Sequence, residues 1–79
     1  MIAHLTGIVS TIGNNWVILD VNGIGYLVHC SSCSLHKISS CSTKKIQLEI
    51  ETRLYHDRID LFGFYDSMER KCFRILIGV

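Results

Sequence analysis

The segment from Trp16 to His29 limits the possible folds of this chain more than any other. Its centre is Asn22-Gly23, a pair typical of a type I′ hairpin turn, in which both central residues need positive φ. A two-residue turn fixes the register of the flanking strands and so decides which side chains share a face. One predicted face is entirely apolar and consists of Val17, Leu19, Val21, Ile24, Tyr26 and Val28. A hairpin with such a face needs a barrel or a sandwich to cover it.

Composition indicates one small folded domain. The chain has 79 residues, of which 48% are hydrophobic, and its net charge of +1 gives no electrostatic sign of nucleic-acid binding by this segment alone. Signal-peptide features are absent, and no apolar run approaches the roughly 20 residues of a membrane helix. We therefore expect a cytoplasmic protein with reduced cysteines and no membrane partner. The sequence stops just after an apolar helical run, at residues 74–79. We therefore also expect this segment to belong to a longer chain.

Three further segments have the patterns expected of strands. Residues 2–12 are rich in β-branched side chains and are predicted to bend or bulge at Gly7. Residues 45–54 alternate strictly between apolar and polar side chains. After a polar turn at His56-Asp57 and Arg58, residues 59–65 are predicted to return as a last strand.

The remaining segments are predicted to be a loop and a helix. Residues 31–43 are polar and serine-rich, which indicates a loop with no more than one short helical turn, anchored by Leu35 and Ile38. A helix is predicted to begin at Asp66, with Glu69 as its capping-box partner. Its expected apolar stripe consists of Met68, Cys72, Phe73, Leu76 and Ile77.

This order of elements predicts an all-β fold. Five or so short strands over residues 1–65 indicate a small closed barrel of the oligonucleotide-binding (OB) type, with the C-terminal helix over residues 66–79 following it. A small SH3-like barrel remains the alternative, because the number and length of the strands do not separate the two.

One loop contains a cluster of potential metal ligands, namely Cys30, Cys33, His36 and Cys41. Structural zinc sites usually take two pairs of ligands from separated turns, whereas these four residues lie in a single short loop. The favoured interpretation is that Cys30 is a core residue at a strand end and that the others lie on the surface. We therefore predict no bound metal.

No other pattern predicts catalysis or a cofactor. Gly23-Ile24-Gly25 lacks the third glycine of a dinucleotide fingerprint and lies in a hairpin, where no helix follows. No Ser-His-Asp order or paired-carboxylate pattern is present. Five basic residues could line one side of the domain, but a solvated face is the favoured interpretation: Arg53, Arg58, Arg70, Lys71 and Arg74.

Four short motifs nevertheless occur in an order and at spacings that resemble one known family. They are Met1-Ile2-x-His4-Leu5-x-Gly7-Ile8, the hairpin Val21-Asn22-Gly23-Ile24-Gly25-Tyr26-x-Val28-His29, Leu61-Phe62-Gly63-Phe64, and Glu69-Arg70-x-x-Phe73. Each motif is weak alone, but the ordered set spans essentially the whole chain. It resembles the N-terminal domain of RuvA, the Holliday junction-binding subunit of the bacterial branch-migration complex.

This resemblance implies a non-catalytic DNA-binding domain. It implies an OB-type barrel that helps to assemble a four-fold symmetric homotetramer on four-way junction DNA. In the family, contacts with the DNA backbone come largely from helix-hairpin-helix motifs in the following domain. A third domain engages the ATP-driven motor RuvB, and a RuvC-type resolvase is a further implied partner. Both later domains would lie beyond this segment.

The resemblance also assigns the one predicted site. Family members carry an acidic pair, the pins at the junction centre, on the turn before the last strand, where this chain has His56-Asp57. Asp57 matches, whereas His56 replaces the expected glutamate, so the resemblance implies a weaker pin than a double-acidic one. Two alternatives remain: a stand-alone single-strand-binding barrel using Trp16 and Phe62, and an interaction module stabilised by zinc on the 30–41 loop.

Overall fold

The structure is a computed structural model that describes residues 1–40, 45–65 and 70–71. Its elements are β1 (His4–Ile12), β2 (Trp16–Val21), β3 (Ile24–Cys30), α1 (Ser32–Ser40), β4 (Lys45–Leu54) and β5 (Ile59–Phe64). The strands form a closed barrel in the order β1-β2-β3-β5-β4, and pairing of β4 with β1 completes it. All neighbours are antiparallel except β3 and β5, which are parallel. This arrangement confirms the predicted five-stranded barrel and is consistent with the OB type.

The β2–β3 hairpin has the register that its turn predicts. Val17 pairs with Val28, Leu19 with Tyr26 and Val21 with Ile24. Both turn residues have positive φ, 53° at Asn22 and 91° at Gly23. Val17, Leu19 and Val28 are completely buried, whereas Ile24 beside the turn is exposed. The predicted apolar face therefore enters the barrel core at the end of the hairpin away from the turn.

The barrel interior is completed by β4, whose bounds match the predicted strand. Ile46, Leu48 and Ile50 are buried, and the polar residues between them face outwards or are only half-buried. On the neighbouring strands, Leu5 pairs with Leu48, and Leu61 is also buried. The core is thus a single cluster of aliphatic side chains inside the barrel.

The first strand, β1, pairs with β4 along its first half and with β2 along its second half. Residues 4–8 pair with β4, and residues 8–12 pair with β2, so that Ile8 pairs with both strands. The register shift lies between Val9 and Thr11 and not at Gly7, so the prediction of a bulge at Gly7 is wrong, whereas a bend there stays a prediction. Gly7 instead allows a close backbone approach, because a Cβ atom there would lie 2.3 Å from the carbonyl oxygen of Asp20.

The serine-rich segment differs most from its prediction. It forms a nine-residue helix, α1, rather than a loop with one short turn. Ser31 caps the helix, since its side-chain oxygen accepts a hydrogen bond of 3.1 Å from the backbone nitrogen of Ser34. Leu35 and Ile38 are buried in the barrel core, as predicted for anchors. Burial of these two side chains stabilises a helix that its serine content does not predict.

Most of the predicted C-terminal helix lies outside the described residues, including the predicted cap at Asp66 and Glu69 and the predicted apolar stripe. Arg70 and Lys71, which are described, are both helical. The proposed division of the chain after residue 65 stays a prediction. Among the helices in the described part, none is long and apolar enough to span a membrane.

Candidate functional site

The β4–β5 turn, residues 55–58, projects from one end of the barrel. Leu54 and Ile59 form the last pair of the two strands. The backbone nitrogen of Tyr55 donates a hydrogen bond of 2.9 Å to the carbonyl oxygen of Arg58, which closes the turn. All four turn residues are exposed. The structure therefore places His56 and Asp57 together at the tip, as the sequence predicts.

Within this turn, the positive charge of Arg58 is held at the base. Its Nε donates to Oδ2 of Asp60 at 3.1 Å, and its guanidinium carbon lies 4.6 Å from the centre of the Tyr55 ring. The carboxylate and the aromatic face both attract the guanidinium group. Arg58 is thus drawn back from the tip, and its charge is balanced locally.

At the tip itself, Asp57 presents a carboxylate to solvent. Across residues 1–40, 45–65 and 70–71, neither His56 nor Asp57 contributes its side chain to a hydrogen bond or an ion pair. The Asp57 side chain is therefore not required to hold the turn, which is closed by backbone atoms and by Arg58. Such a tip can exert a repulsive field on a polyanion.

Apolar side chains surround the base of the same turn, a feature that sequence analysis missed. Leu54 is 67% exposed, Ile59 64% and Tyr55 47%. The alternation of β4 assigns Leu54 to the inward face, but the barrel ends before this position. Strand alternation alone gives no signal for the end of a barrel.

The described residues of the predicted cysteine cluster differ in solvent exposure. Cys30 is buried at the end of β3, which confirms its interpretation as a core residue. Cys33 and His36 lie on α1 and are exposed, and Cys41 is outside the described residues. In the part of the chain that the structure describes, no three metal-ligating side chains come together.

The outer face of the barrel gives little support to the single-strand-binding alternative. Trp16 and Phe62 are both half-buried, and Phe62 lies against His29 with ring centres 5.4 Å apart. Two of the five basic residues singled out in the sequence, Arg58 and Arg70, are paired with carboxylates. A platform for single strands needs exposed aromatic rings above an unpaired basic groove.

The fold and the exposed turn define the chain as a small OB-type barrel with a projecting β4–β5 tip. Comparison with known sequences then gives its family: the chain belongs to the RuvA N terminal domain family, which matches residues 1–63. This match confirms the family resemblance found in the sequence motifs.

Curated relatives support the same assignment. The chain is 45% identical over 76 residues to a protein of Afipia carboxidovorans, covering 96% of this chain and 37% of the relative. It is 46% identical over 79 residues to one from Xanthobacter autotrophicus, covering 100% and 38%. A protein of Rhizobium meliloti is 43% identical over 79 residues, with coverage of 100% and 38%. Each is named Holliday junction branch migration complex subunit RuvA. The chain spans 37–38% of the length of these relatives.

Proposed function

We propose that this chain is the N-terminal domain of a Holliday junction-binding subunit of a branch-migration complex. The observation that carries the proposal is the family match over residues 1–63, together with the closed five-stranded barrel. In this proposal the longer bacterial protein acts in the cytoplasm as a homotetramer on four-way junction DNA. It directs a RuvB-type ATPase to the junction, with a RuvC-type resolvase as a further partner, and performs no catalysis itself.

The decisive test uses the full-length protein. It should bind a four-way junction more tightly than a linear duplex of equal length, and it should stimulate branch migration by its RuvB-type motor. Equal affinity for the two DNAs would contradict the proposal. Preferential junction binding without stimulation of the motor would contradict only the proposed action on the RuvB-type ATPase.

We further propose that Asp57 acts as an acidic pin at the junction centre. Its exposure at the tip and the withdrawal of Arg58 towards Asp60 support this role. Four symmetric copies would place carboxylates near the crossing phosphates, and like charges repel. Such repulsion would keep duplex strands apart and guide separated strands outwards. Because His56 replaces an acidic residue, the pin should be weaker than a double-acidic one.

Substitution of Asp57 tests the pin in the full-length protein. Asp57→Asn should leave folding intact, hold or tighten junction binding, and alter the rate of branch migration. His56→Glu should add repulsion and act in the opposite direction. A matched control is Asp20→Asn, which also removes one negative charge but does so near Lys45, at the end of β4 away from the turn. The asparagine side chain keeps an oxygen that can accept the hydrogen bond from the Gly23 amide. The pin role is wrong if Asp57→Asn weakens binding or leaves migration unchanged.

A further inference from the structure

Arg70 binds the outer face of β4 at the point where the chain has left the barrel. Its Nε donates to Oε1 of Glu51 at 3.1 Å, and its Nη1 donates to Oε1 of Glu49 at 3.3 Å. The side chains are only partly exposed, 24% for Arg70, 34% for Glu49 and 12% for Glu51. These contacts join parts of the chain that are 19 and 21 residues apart.

The geometry suits an arginine better than a lysine. Glu49 and Glu51 are two residues apart on one strand, so their side chains lie on the same face and their charges repel. A planar guanidinium offers several donors in a fixed fork and reaches both carboxylates, which a single ammonium group does less well. Lys71, the next residue, is exposed. One of two adjacent cations is therefore anchored on the barrel, and the other faces solvent.

We infer that Arg70 is a positioning residue, which sets the direction in which the rest of the longer protein leaves the barrel. The same strand, β4, carries its two carboxylate partners and leads directly into the turn with Asp57. Fixing the chain on β4 therefore fixes the following segment relative to that turn. This inference rests on the proposed function, because the two parts must engage one junction at the same time.

Orientation matters more for a four-way junction than for a duplex. A junction presents several arms in a fixed arrangement, so simultaneous contacts are lost when the connected parts are misaligned. A linear duplex is bound by phosphate contacts that do not depend on that arrangement. Loss of the Arg70 anchor should therefore reduce the preference for junctions and leave duplex affinity nearly unchanged.

The experiment compares Arg70→Met with Lys71→Met in the full-length protein, since both variants remove one positive charge from neighbouring positions. Arg70→Met should lower the ratio of junction affinity to duplex affinity about tenfold, because connected parts that are no longer aligned have a lower effective concentration at the junction. It should also raise deuterium uptake in peptides that begin at residue 70. Lys71→Met should change neither quantity. The charge swap Glu51→Arg with Arg70→Glu should restore the ratio.

Two results would overturn the inference. If Arg70→Met weakens junction and duplex binding equally, Arg70 contacts phosphate directly. A lower melting temperature with an unchanged affinity ratio and unchanged deuterium uptake would mean a purely structural role. If the unmodified protein shows no junction preference, the proposed function fails, and the deuterium uptake still decides whether Arg70 anchors the chain.

Discussion

At the scale of single residues, two positions in the barrel wall have no room for a side chain larger than that of glycine, because neighbouring atoms lie too close. A Cβ atom at Gly7 would lie 2.3 Å from the carbonyl oxygen of Asp20, and one at Gly63 would lie 2.5 Å from Cγ1 of Val28. The contact at Gly7 is with backbone, and both β1 and β2 are held by strand pairing around it. An added methyl group there would also lie 2.9 Å from Cγ2 of Val21, but moving that side chain would not relieve the closer contact with the Asp20 backbone.

We predict that Gly7→Ala lowers the free energy of unfolding by about 2 kcal/mol, within the range for overpacked sites. Gly25→Ala is the matched control, because its new Cβ would meet only the Ile18 side chain, at 3.3 Å. That control should change stability by less than about 1 kcal/mol, as is usual for strand positions outside the core. Urea unfolding of both variants gives the comparison. Equal losses would show that the contact with Asp20 has no special role.

The glycines also show which structural features can be predicted from the sequence at the scale of single residues. Asn22-Gly23 predicted the register of its hairpin correctly, because a two-residue turn determines the pairing of the residues beside it. The sequence predicted a bend or a bulge at Gly7, but the register shift lies between Val9 and Thr11. The close approach of Gly7 to Asp20 was not predicted. Local turn chemistry can be predicted, whereas a close approach between strands requires the assembled barrel.

At the scale of elements, α1 shows burial overriding intrinsic propensity. Four of its nine residues are serine, which favours caps and turns over helix interiors. Leu35 and Ile38 are three residues apart and so share one face of the helix, and both join the barrel core. Ser34 is fully buried, and its hydroxyl accepts a hydrogen bond of 3.3 Å from the Tyr65 amide. The sequence identified the anchors but not the helix, because the stabilising surface belongs to other elements.

We predict that Ile38→Ala lowers the free energy of unfolding by about 2–4 kcal/mol, because it removes a buried side chain and leaves a cavity. Ile38 is only 3% exposed. His36→Ala is the control on the exposed side of the same helix and should have little effect or stabilise slightly, since alanine has the higher helix propensity. Urea unfolding measures both variants. A loss below about 1 kcal/mol for Ile38→Ala would mean that the helix is not packed on the core as described.

At the scale of the whole molecule, the sequence predicted the barrel and the place of its tip. Alternation in β4 and the hairpin turn defined most of the wall, and the polar turn at His56-Asp57 was correctly placed between the last two strands. The anchor of Arg70 on Glu49 and Glu51 was not predicted, and Arg70 was assigned to a solvated face. That contact joins residues 19 and 21 positions apart, so no local pattern indicates it.

The charge distribution of the whole segment leads to the last prediction. Its net charge is only +1, and two of its arginines, Arg58 and Arg70, are already paired with carboxylates. Affinity for DNA without sequence readout depends on the number of phosphates that lysine and arginine neutralise. This segment alone should therefore bind a four-way junction with a Kd weaker than about 1 μM at physiological salt, the tighter end of ordinary non-specific binding. The full-length protein should bind much more tightly in the same titration, with a steeper dependence on salt concentration. Submicromolar binding by the segment alone would contradict this prediction and show that the barrel itself holds the junction.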